Sequence, residues 1–103
     1  MTGGVPVMTA PAEIDITTAG QLRAMLGGEA ACGHTTLVVD MTGTQFCDCA
    51  GLAVLVRAHR RARAGGGGLR LVLPVGGSVP RLFTLIGLDR VIPYFTGLEQ
   101  ALA

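Results

Sequence analysis

Residues 37–52, Leu-Val-Val-Asp-Met-Thr-Gly-Thr-Gln-Phe-Cys-Asp-Cys-Ala-Gly-Leu, constrain the fold more than any other stretch. The run over 36–41 is short, rich in β-branched residues and apolar at successive positions, which predicts a strand buried on both faces and hence a sheet covered by helices. A polar loop follows. Asp48-Cys49-Ala50-Gly51-Leu52 then opens a helix whose apolar positions Leu52, Leu55, Val56 and His59 share one face, with Arg57, Arg60 and Arg61 mostly on the other. A helix start carries backbone N–H groups without intrahelical partners and the positive end of the dipole, so it suits a negative charge. Cys49 sits where such a charge would be felt, whether as a thiolate or as an added phosphate.

The same alternation runs through the rest of the chain. Residues 5–10 predict a strand, and Glu13-Ile14-Asp15-Ile16 leads into a helix carrying Ala19, Leu22, Met25, Leu26 and Ala30 at helical spacing. Thr18 and Gln21 have capping-box spacing, and Gly33 is a C-terminal stop. Gly65–Gly68 ends the second helix and is expected to be a mobile loop before a strand over 69–73. Ser78-Val79-Pro80 starts a third helix, with Pro80 tolerated in its first turn. Val91-Ile92 is expected to be a short strand, and Thr96 with Glu99 to cap a last helix reaching Ala103. Strand–helix alternation of this kind specifies an α/β domain with a largely parallel sheet, and 103 residues make one domain, 1–103.

Composition narrows the function. Apolar residues make up 50% of the chain but aromatics only 4%, so the core is aliphatic. The eight basic residues are all Arg and the net charge is +1, too little long-range attraction for a nucleic acid partner. No run approaches the ~20 apolar residues of a spanning helix, and the N-terminus lacks the charged and apolar regions of an export signal. No membrane association is expected and the location is expected to be cytoplasmic. Three cysteines there are not a disulfide framework. Cys32 and the two histidines have no metal-ligand spacing with Cys47 and Cys49, and the glycine run does not lead from a strand into a helix as a phosphate loop would. No metal and no cofactor is implied.

Taken in order, Glu13-Ile14-Asp15-Ile16-Thr17-Thr18-Ala19, Leu37 to Gly43, Phe46 to Leu52, and the closing Ile86 to Ile92 with Thr96 to Leu102 resemble the STAS domain of bacterial anti-sigma factor antagonists. The resemblance covers nearly the whole chain and implies a mixed β-sheet with helices packed on it. It implies a binding module rather than an enzyme: a protein that binds an anti-sigma factor, often a serine kinase of ATPase fold, and so releases a sigma factor. In such relatives the motif is usually Asp-Ser-x-Gly-Leu, and phosphorylation of its Ser breaks the complex. Here Cys49 occupies that position, and a thiol is not a normal substrate of a serine kinase.

The resemblance places the partner surface at Asp48, Cys49, Ala50, Leu52 and Thr44. Asp48 is in addition expected to cap the helix, Asp40 to order the loop after its strand, and Thr44 is the nearest substitute acceptor hydroxyl. Cys47 and His59 are expected to be packed side chains. The stretch before Glu13 is short for the family. An edge strand is therefore expected to be missing or shortened, and the edge left exposed could support a homodimer. Alternative readings are a constitutive interaction subunit of a signalling or transport complex, and a thiol protein responding to oxidation at Cys49.

Overall fold

The computed structural model describes residues 5–102. Strands β1 (Val7–Thr9), β3 (Thr36–Asp40), β5 (Gly68–Val72) and β6 (Tyr94–Phe95) form a four-stranded sheet in the order β1-β3-β5-β6, and β2 (Glu13–Ile14) pairs with β4 (Phe46–Cys47) in a separate two-stranded unit. Every ladder among the described residues is parallel. Helices α1 (Ala19–Ala31), α2 (Cys49–Ala64), α3 (Ser78–Leu85) and α4 (Leu98–Leu102) complete the chain.

The two faces of the sheet bury different things. Leu37, Val39 and Met41 of the β3 region join Leu69, Leu71 and Leu73 against Leu22 and Leu26 of α1, Val54, Leu55 and Ala58 of α2, and Phe83 of α3. On the opposite face Val38 and Val72 pack with Ala101 of α4, flanked by the partly buried Val7, Phe95 and Leu102. Strand alternation sends neighbouring residues to opposite faces, so Leu37, Val38 and Val39 are 2%, 0% and 0% exposed only because both faces are covered. The reading of residues 36–41 as a doubly covered strand is met.

Several local expectations are corrected. The strand placed at Val91-Ile92 lies at Tyr94–Phe95 instead. Leu88–Arg90 forms a 3-10 turn whose Leu88 carbonyl accepts from the N–H groups of Val91 and Ile92, and Ile92 becomes a buried plug. Pairing resumes only at the Pro93 carbonyl, which accepts from Leu71.

Neither capping box forms. The Thr18 hydroxyl is drawn back to donate to the Glu13 carbonyl at 2.7 Å, and the Asp15 carboxylate accepts from the N–H groups of Thr17 and Thr18 instead. These bonds hold the Asp15 carboxyl below its usual range, the Thr17 hydroxyl contributing most. Thr96 faces Gln100, and α4 runs from Leu98 to Leu102; its expected end at Ala103 lies outside the described residues.

Gly65–Gly68 is tied down by backbone hydrogen bonds. Gly67 N–H reaches the Ala62 carbonyl at 2.9 Å, Gly68 N–H reaches Thr35 at 2.9 Å, and Gly68 already belongs to β5. At the front, β1 is a three-residue edge strand paired to β3.

Candidate functional site

The β2–β4 unit positions the site. Glu13 lies opposite Phe46 and Ile14 opposite Cys47, and the ladder is extended on both sides by Gln45 N–H to the Ala12 carbonyl and Asp48 N–H to the Ile14 carbonyl. Because the pairing is parallel, the turn that leaves β2 and the start of α2 emerge at the same end.

Asp48 then caps α2. Its Oδ1 accepts from the N–H groups of Ala50 at 3.0 Å and Gly51 at 3.2 Å, in extended backbone as an N-cap requires. The carboxylate thereby occupies the donors that would otherwise favour a thiolate or phosphate oxygen at the same turn. Cys49, the first residue of α2, is exposed. Gly51 explains the small residue in this motif: a Cβ there would lie 2.4 Å from Ile14 Cγ2 and 2.8 Å from Cys47 Sγ, so glycine lets the helix settle onto the β2–β4 unit without displacing them.

The other predicted residues divide between surface and support. Ala50 and Leu52 are half-buried, packed against the core from the outer side. Asp40 Oδ1 accepts from the Thr42 N–H at 3.0 Å and from the Thr42 hydroxyl at 2.7 Å. Thr44 does not reach the surface. It is 3% exposed, and its hydroxyl donates to the Pro11 carbonyl at 2.9 Å, so in this structure it supports the loop and offers neither a contact nor an acceptor. Cys47 is buried, and burial first, then the neighbouring Asp48 and Cys49, pushes its thiol up to about 12. Among the described residues no cluster of His, Cys, Asp or Glu is placed to hold a metal ion.

Two exposed apolar side chains on the segments that lead into this end of the molecule escaped the sequence reading. Phe46 is 50% exposed on β4, and Ile16, in the turn leaving β2, is 82% exposed. Strand alternation carried the signal: with Ile14 and Cys47 inward, Phe46 faces out. Phe46 also walls an apolar groove of about 290 Å³ closed on the far side by Ser78, Leu82 and Leu85 of α3, with Arg81 on its rim. Ser78 Oγ donates to the Gln45 carbonyl at 3.2 Å and ties α3 to this end of the molecule. An exposed thiol, a capping carboxylate and a flanking apolar surface make up a surface suited to a protein contact. No helix of the described residues is long and apolar enough to cross a membrane.

Comparison with known proteins agrees with this architecture. The family model of the STAS domain matches residues 1–101. The anti-sigma-F factor antagonist RsfB of Mycobacterium tuberculosis is 32% identical over 100 residues, covering 96% of this chain and 80% of the relative. The crystal structure of an anti-sigma factor antagonist from Mycobacterium paratuberculosis superposes with a TM-score of 0.83 at 29% identity, covering 93% of this chain and 80% of that one. The phosphorylated form of the Bacillus cell fate determinant SpoIIAA shares the fold, with a TM-score of 0.69 at 22% identity over 97% of this chain and 91% of that one.

Proposed function

The chain belongs to the STAS domain family, and from that premise we propose that it is an anti-sigma factor antagonist whose contact surface is centred on Cys49. The observation that carries the reading is the exposed first turn of α2. There Asp48 takes up two backbone donors and Cys49 is exposed, while Phe46 of the adjoining β4 and Ile16 of the turn leaving β2 are exposed as well. Such a surface binds by burying the apolar residues around a small uncharged centre. The partner in this reading is an anti-sigma factor, its ATPase-fold kinase type included, and its sequestration releases the sigma factor.

A charge placed at position 49 would work against that contact. A phosphate brings nearly two negative charges, set beside the Asp48 carboxylate on a surface that must desolvate to bind. With a thiol there, serine phosphorylation has no acceptor. Thr44 supplies no substitute, because its hydroxyl is buried on Pro11. The contact at position 49 is therefore constitutive with respect to a serine kinase. Oxidation of the exposed Cys49 remains as a chemical input, but the neighbouring Cys47, buried and with a thiol held far from ionisation, is a poor resolving partner.

Calorimetric titration against the organism's ATPase-fold anti-sigma factors tests this. Wild type and Cys49→Ala are expected to bind alike and Cys49→Asp at least about tenfold more weakly, the equivalent of ~1.4 kcal/mol. Equal affinity for all three removes this surface from the interface. Incubation with an active cognate kinase and ATP is expected to leave position 49 of the wild type unmodified and to phosphorylate the Cys49→Ser variant, with mass spectrometry locating the phosphate. A Ser variant that is refused by a kinase proven on a relative would place the chain outside kinase control.

A further inference from the structure

Charge is distributed unevenly over this molecule. Helices α1 and α2 carry five of the eight arginines but only one of the seven acids, Glu29. Glu29 lies in the last turn of α1, with its carboxylate 3.7 Å from His34 Nε2. The seam between the two helices holds two recesses, of about 100 Å³ and 180 Å³, that share Ala58 and Arg61. Arg23 of α1 and Arg57 and Arg61 of α2 line the first, together with the apolar Leu26 and Val54. We propose that this seam is a docking surface for an acidic polypeptide segment of a partner protein, its carboxylates taken by Arg23, Arg57 and Arg61.

The three charges have no answer within the molecule. Each of these arginines is exposed, and no hydrogen bond or ion pair joins any of them to another described residue. No carboxylate lines either recess. The remaining acids lie on other elements: Glu13 and Asp15 around β2, Asp40 and Asp48 bonded to their own loop and cap, Asp89 in the 3-10 turn and Glu99 on α4. The dipole of α2 accounts for Arg61 in its last turn. It does not account for Arg57 in mid-helix, or for Arg23 in the N-terminal half of α1. Nor is cover for the apolar floor a sufficient reason. A Glu among these positions would serve the helix better, because opposite charges one turn apart support it while the like pair at 57 and 61 opposes it.

The shape of the seam selects the occupant. From Val54 to Ala62 it follows α2 for about 12 Å, at 1.5 Å per residue. That is the reach of roughly four residues of extended chain. Cations flanking an apolar floor match a segment in which carboxylates alternate with small aliphatic side chains. A nucleic acid would draw on charge beyond the seam, and a net charge of +1 supplies little. A lipid surface would call for large apolar side chains projecting beside the arginines, whereas Leu26, Val54 and Ala58 are buried. Arg57 stands two turns beyond Cys49 on α2, so this is a second contact, independent of the one centred there.

The test is an NMR titration of the full chain with a synthetic peptide of Glu interleaved with Ala and Leu, at constant ionic strength set with sodium chloride. Saturable shifts are expected at Arg23, Leu26 and residues 54–62, and none with a counterpart carrying Gln in place of Glu. Joint replacement Arg57→Gln and Arg61→Gln should weaken binding roughly fivefold, the loss of two exposed ion pairs. Arg90→Gln, exposed and away from the seam, should leave it unchanged. Shifts that rise without saturation overturn the proposal, as does an equal weakening by Arg90→Gln, which would mean only a general attraction to exposed arginines. Parallel titrations use a single-stranded oligonucleotide and phosphatidylserine vesicles, and tighter binding of either overturns the polypeptide assignment. No anti-sigma factor enters these measurements, so their failure is read apart from any failure of the Cys49 contact.

Discussion

At its first turn α2 is held by backbone bonds to Asp48 and by the fit of Gly51, and its Cys49 side chain is exposed. At its last turns the same helix is pinned from within. His59 is 8% exposed and accepts from the Leu69 N–H, the Gly67 N–H reaches back to Ala62, and Gly67 sits so close to Thr35 that a Cβ would lie 2.0 Å from its carbonyl oxygen. One end anchors while the other presents. The difference shows how a small aliphatic domain supports a contact surface: specific hydrogen bonds fasten the far end of the helix, so the near end can be shaped for a partner.

The sharpest way to break this comparison is at the anchor. Gly67→Ala places its methyl against backbone, which cannot rotate away, and is expected to cost about 3 kcal/mol or more, read as a lowered urea midpoint. Gly51→Ala at the presenting end meets the side chains of Ile14 and Cys47, which can shift, so roughly 1–3 kcal/mol is expected. If Gly51→Ala proved the costlier of the two, the anchor would lie at the other end.

Next comes His59. His59→Ala leaves the buried Leu69 N–H without its acceptor, an expected loss of about 1–3 kcal/mol beyond the cavity. The wild type adds a pH signature. The folded-state pKa of His59 lies below the unfolded value near 6.5, so the unfolded chain binds the extra proton first. Its contribution is complete above 6.5 and is lost as pH falls through that value toward the folded pKa. Denaturation midpoints measured from pH 8 to pH 5 should fall below 6.5 in wild type and stay flatter in His59→Ala.

At the presenting end the expected effects are smaller. Asp48→Ala removes the cap at a cost of about 1 kcal/mol, with Asp48→Asn retaining most of it. Cys49→Ala is expected to change stability by less than about 0.5 kcal/mol, since the side chain is exposed. Thiol alkylation of the folded protein should modify Cys49 and Cys32 and spare Cys47, whose sulfur is buried and whose thiol is held near 12. Rapid labelling of Cys47 in native conditions would show that the β2–β4 unit opens and that this end is less ordered than its hydrogen bonds imply.

Much of this was legible before any coordinates. The doubly apolar run at 36–41, the Asp before a helical period and the strand–helix alternation depend on neighbours in the chain, and local pattern reads them directly. So do the cap at Asp48 and the loop bond of Asp40, whose donors lie two or three residues away. Competition was not legible. Thr18 has a capping-box sequence yet bonds to Glu13, because β2 is held beside β4 and its carbonyl stands closer. Thr44 sits near the switch position in sequence, and Pro11, 33 residues away, claims its hydroxyl.

The sequence by itself determined the fold class, the family resemblance and the location of the exposed thiol at a helix start, because hydrophobic period, cap chemistry and motif order are properties of adjacent residues. Tertiary structure alone decided that Phe46 and Ile16 are exposed, what a side chain at positions 51 and 67 would collide with, and that His59 is the buried acceptor for Leu69. Those facts arise where segments distant in sequence approach within van der Waals or hydrogen-bonding distance. Short-range forces of that kind leave no periodic trace along the chain.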